Sequence, residues 1–128
     1  MTLPRLRDLC ISMPGATEQI QWGKDLVFKV GGKMFCVANT DPSGEEVALS
    51  FKCDPETFAA LCERDGIRPA PYMARAQWVA LERFDSLPDR ELKPLVARAY
   101  DLIRAKLPKE TLAKGTKSTK GTKKEKKR

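Results

Sequence analysis

Apolar residues along this chain recur at helical spacing near its start, in its middle and toward residue 107, and β-rich runs lie between them. The segment LPRLRDLCISMPG repeats Leu3, Leu6, Leu9, Cys10 and Met13 on one stripe, with Thr2 as N-cap and Pro4 in the first turn, until Pro14 and Gly15 stop it. EQIQW reads as a short strand closed by Gly23. DLVFKVGGKMFCVAN then forms two runs around Gly31-Gly32, residues that supply the positive φ a two-residue hairpin needs. Pairing Val30 with Lys33 sets Phe28 against Phe35 and Leu26 against Val37 on the face expected to be core, with Val27, Lys29, Met34 and Cys36 on the other.

EEVALSF adds a strand after the turn DPSG, with Val47, Leu49 and Phe51 on one side and Ala48, Ser50 and Lys52 on the other. CDPETFAALCERDG predicts a second helix, with Asp54 as N-cap, Pro55 at N1, Glu56 in the first turn and a stripe of Phe58, Leu61 and Cys62. QWVALERF is a further strand, whose alternation separates Trp78 and Ala80 from Val79 and Leu81. SLPDRELKPLVARAYDLIRAKL is a third helix, with Ser86 and Asp89 at capping-box spacing and Leu92, Leu95, Val96, Ala99, Ile103 and Leu107 on its stripe. Pro94 is expected to kink it or to set off a short first turn. This order predicts a two-layer α+β domain, an antiparallel meander packed against helices. The second sheet face mixes small residues with Lys29 and Lys52, and is the better place to look for a ligand.

Composition changes this picture in one respect. The 128 residues suit one domain, and the formal charge of +7 suggests nucleic acid until it is located. Residues 113–128, AKGTKSTKGTKKEKKR, hold seven Lys, one Arg and one Glu, whereas residues 1–112 hold 16 basic and 16 acidic side chains. The domain, 1–112, is balanced, and the tail, 113–128, has too little apolar surface to order itself. The tail is therefore expected to be disordered, either as a solubilising end or as a polycation that holds phosphates.

Candidate chemistry is sparse. The chain has no histidine, which removes the common serine and cysteine nucleophile systems and most catalytic zinc sites. It carries neither a phosphate-binding G-x-x-x-x-G-K-[ST] loop nor G-x-G-x-x-G, and GGKM joins two strands. Cys10, Cys36, Cys53 and Cys62 contain no C-x-x-C and read as buried thiols. A non-enzymatic protein without cofactor or metal is expected. With no apolar run long enough to span a bilayer and no signal-like h-region, the expected location is the cytoplasm, away from membranes.

The ordered segments MPGATEQIQWGKDLVFKVGGKMFCV, SFKCDPETFAAL, APYMARAQWVAL and RAYDLI resemble the MmcQ/YjbR family over roughly residues 2–108. The resemblance implies a CyaY-like fold, similar to bacterial frataxin and related to type III secretion chaperones. It also implies DNA binding through a double-wing arrangement of β-hairpins. Pro94 and the basic extension depart from the family pattern.

On that implied function, Lys24, Lys29, Lys33, Lys52, Arg68 and Arg75 are the candidates for phosphates, with Tyr72 or Trp22 against sugar or base. A balanced domain can do this only if its carboxylates lie elsewhere. In RPAPYMARAQWVAL, Trp78 and Met73 are expected to staple the core, while Tyr72 and Arg75 present an aromatic body and a guanidinium in a stiff loop. A monomer is expected, and the alternatives are a protein-interaction or chaperone-like module using the open sheet face or the β edges, and nucleic-acid binding confined to the tail.

Overall fold

The computed structural model describes residues 1–41, 47–71 and 73–108. Helix α1 spans Leu3–Ile11, with Thr2 Oγ1 accepting from the Arg5 amide. Strands β1 (Ala16–Gln21), β2 (Asp25–Val30), β3 (Lys33–Asn39) and β4 (Leu49–Lys52) follow. Helix α2 is Pro55–Leu61, capped by Asp54, whose Oδ1 accepts from the Thr57 amide at 3.0 Å. Then come β5 (Ile67–Pro69), a single 3-10 turn (Ala74–Ala76), β6 (Trp78–Leu81) and α3 (Asp89–Arg104).

All six strands join one antiparallel sheet in the order β1-β2-β3-β4-β6-β5. The helices cover one face, where Leu26, Phe28, Val30, Phe51, Val79, Leu81, Leu92 and Val96 form the main core. The α+β class and its antiparallel sheet are as the sequence predicts. The sequence pattern does not predict β5, because three residues containing Pro69 offer no alternation.

The hairpin register departs from strict alternation. Lys29 pairs with Met34 but Phe28 pairs with Cys36, so Phe35 is an inserted residue on β3. Beyond this bulge every β3 side chain changes face. Cys36 and Ala38 enter the core, while Val37 moves to the helix-free side. Phe35 stays in the core, 6.4 Å from the Phe28 ring and edge-on to Tyr100 at 5.5 Å.

Three local expectations are corrected. Val47 packs against the Trp78 cluster rather than beside Leu49 and Phe51, because the β4 ladder begins only at Leu49, after Ala48. Ser86 does not cap α3: its hydroxyl accepts from the Arg83 amide, and Pro88 occupies the N-cap with no side-chain bond. Of the two outcomes expected at Pro94, the separate first turn is absent, since Asp89–Arg104 is one continuous helix with Pro94 inside it.

Candidate functional site

The antiparallel register gives the sheet two ends. At one lie the Gly31-Gly32 turn, the close of β4 and the start of β6, since Val30 pairs with Lys33 and Lys52 with Trp78. At the other lie the β1–β2 loop, Asn39 and Leu81, since Asp25 pairs with both Gln21 and Asn39, and Leu49 with Leu81. Helix α3 runs from the second end to the first. Glu91 bonds Arg64, just before β5, whereas Arg98 lies 3.7 Å from Asp54, just after β4.

This frame distributes the candidates. Lys29, Lys33 and Arg75 belong to the hairpin end, and Lys33 and Arg75 are exposed there. Lys106, exposed after α3, lies close enough to Lys52 to repel its charge. Most of the described carboxylates lie at the opposite end: Asp25, Asp41, Glu63, Asp65, Glu82, Asp85, Asp89 and Glu91 all flank its loops or the start of α3. Many of these are held by arginines, as in Arg64–Glu91 at 2.6 Å, Arg83–Asp85 at 2.8 Å and Arg5–Asp89 at 2.9 Å. At the hairpin end the carboxylates are Asp54, which faces Arg98, with Glu56 and Asp101. A chain whose domain is neutral in sum thus has a charge gradient along its strands.

The other candidates fall outside that end or are engaged. Lys52 is 7% exposed and its ammonium donates to the Ala76 carbonyl, tying the 3-10 turn to β4. Burial, with repulsion from Lys106, pulls its pKa below the usual lysine value. It is a structural cation, and sequence gave no sign of this because the turn that covers it is distant in the chain. Trp22 and Lys24 sit in the β1–β2 loop at the acidic end, where the Lys24 carbonyl accepts from the amide and hydroxyl of Thr40. Arg68 projects from mid-β5 on the helix-free face and lies 3.6 Å from Glu82. Tyr72 lies outside the described residues, as does the tail.

The helix-free face is itself partly covered. Trp78, Ala80 and Ala70 are buried there against Met34, Val37, Val47 and Met73, so the Trp78 stretch packs as the sequence predicts. Beside this cluster is a cleft of about 300 Å³ lined by Asp25, Val37, Asn39, Val47, Ser50, Arg68 and Pro71, among others. The bulge at Phe35 is what turns Val37 into it. Its mixture of apolar wall and separated charges suits a side chain or short segment of a partner.

Cys36 and Cys53 are poor nucleophiles. Burial beside Asp54 pushes Cys53 up to about 12. A hydrogen bond with Cys10 and complete burial raise Cys36 well above the ordinary thiol range. Among the described residues no cluster of His, Cys, Asp and Glu suits a metal, and no helix is long and apolar enough to cross a membrane.

The sequence profile of the YjbR family matches residues 11–102. The uncharacterized protein YjbR of Escherichia coli K12 is 28% identical over 113 residues, spanning 86% of this chain and 93% of that one. The crystal structure of the Deinococcus radiodurans protein DR2400, with a DUF419 domain, is similar at a TM-score of 0.74 and 26% identity, covering 86% of this chain and 84% of that one. A Pseudomonas syringae protein shares the fold at a TM-score of 0.67 and 19% identity, over 80% of this chain and 99% of that one.

Proposed function

The chain belongs to the YjbR family, and from the layout of its charges we propose that it is a non-enzymatic DNA-binding protein that meets phosphates with the hairpin end of its sheet. Lys29, Lys33 and Arg75 form the contact surface, and Lys106, exposed after α3, adds to it. The observation that carries this reading is the excess of described carboxylates at the opposite end, with only Asp54, Glu56 and Asp101 near the hairpin end, which leaves that end cationic on a domain of zero formal charge. Binding is electrostatic and weakly selective for sequence, because lysines on a turn and a single arginine reach phosphates more readily than base edges. Trp22, at the other end, takes no part. The lack of histidine and the raised thiol pKa values support a role without chemistry of its own.

Anisotropy of a labelled duplex over a salt series tests this with residues 1–128 and residues 1–112. Each neutralised phosphate contributes about −0.9 to the slope of log K against log salt. Binding that persists in the shorter chain with a reduced slope supports a site on the domain. Complete loss confines phosphate contact to residues 113–128.

The cleft on the helix-free face favours a second reading, a protein-interaction module that takes a partner's side chain between Val37, Val47 and Pro71. A partner retained at salt that strips DNA, and lost on Val37→Asp, would favour it.

A further inference from the structure

The two edges of the sheet are built differently. β5 is three residues long and carries Arg68 and Pro69, devices that discourage another strand from pairing. β1 is six residues long, ATEQIQ, with neither proline nor lysine, and its carboxylate, Glu18, is neutralised by Arg7 at 2.6 Å. Exposed large apolar side chains gather around this same edge: Ile20 is 56% exposed, Trp22 65%, and Ile11, where α1 leads into β1, 39%. Trp22 is held at φ 53°, an unfavourable conformation for a bulky residue that keeps its indole at the end of the strand.

We infer that β1 is the pairing edge of a two-fold dimer, in which β1 of a second copy of this chain adds antiparallel and joins the two sheets. An axis at Gln19 uses the whole strand and answers each observation. Ile20 lies against the apolar stems of the partner's Glu18 and Arg7, and Trp22 reaches the partner's Ala16 and Ile11. The same patch serves both copies, so the contact closes at two. An unrelated peptide strand would satisfy the backbone but would not need this self-matching order of side chains.

Sedimentation velocity of the full chain across micromolar to millimolar concentration tests the dimer, and cysteine cross-linking tests its register. The expected species at high concentration has twice the 14.3 kDa chain mass. Ile20→Glu sets two carboxylates opposite one another and should weaken the dimer about a hundredfold. Gln19→Cys, on the axis, should form an inter-chain disulfide under mild oxidation, while Thr17→Cys and the unmodified chain should not. Should Ile20→Glu fail to fold, the two cysteine variants decide alone. A chain that stays monomeric throughout, or a dimer in which Gln19→Cys does not cross-link, overturns the inference.

Discussion

The bulge at Phe35 decides which β3 side chains enter the core, and two near-isosteric substitutions test it. With the bulge, Cys36 is fully buried under the helices, against Phe51 and near Cys10, whereas Val37 is half-buried beside the polar cleft. Cys36→Ser places a hydroxyl where Cys10's thiol, a weak acceptor, is its nearby polar partner. Burying an unsatisfied hydroxyl costs about 1–3 kcal/mol. Val37→Thr places the same group where Asn39, Ser50 and water reach it, and should cost below about 1 kcal/mol. For a folded body of this size, about 1 kcal/mol corresponds to roughly 4–8 °C in melting temperature. Urea titrations at constant m-value would measure both. In an unbulged hairpin the ranking reverses, so a larger loss at Val37→Thr than at Cys36→Ser would refute the register.

Three further outcomes follow from local geometry. Asp54→Ala should cost about 0.5–2 kcal/mol by removing the α2 cap, measured by urea unfolding. The Thr57 amide and hydroxyl lower the Asp54 pKa first, with Arg98 assisting. Its stabilisation is therefore present above the unfolded pKa and lost as pH falls through the lowered folded one, an acid-side decline that Asp54→Ala should lack. Pro94→Ala should stabilise α3, by up to about 3 kcal/mol, through restoring an amide for the Arg90 carbonyl; a destabilised variant in the same titration would contradict this. Finally, Ellman's reagent at pH 8 should label Cys10, Cys36 and Cys53 only after unfolding, because they are buried and Cys36 and Cys53 remain protonated; rapid labelling of the native chain would contradict it.

What was legible in the sequence was whatever a few neighbouring residues decide. Thr2 and Asp54 marked helix starts because a cap acts over three positions, and Gly31-Gly32 marked the hairpin because its backbone demands positive φ. The alternation of Trp78 to Leu81 correctly split that strand between two faces. The bulge carried no local mark: Phe35 is an ordinary strand residue, and only its place against Tyr100 explains why it is accommodated. Lys52 looked like its surface neighbours because the carbonyl that binds it belongs to Ala76. The charge layout was illegible for a similar reason. Strand direction carries Asp25, Asp41 and Glu82 to one end and Lys33 and Arg75 to the other, and direction is a property of the assembled sheet.

The most direct test of the proposed phosphate face is duplex binding by full-length charge variants, over a salt series. Lys33→Glu combined with Arg75→Glu reverses two cations at the hairpin end, and Lys24→Glu is the control at the acidic end. The account predicts at least about tenfold weaker binding for the double variant, with its salt slope smaller by about 1.8, two phosphates at about 0.9 each. Lys24→Glu should bind like the unmodified chain. Equal losses in the two, or none in the double variant, would contradict a phosphate site at the hairpin end.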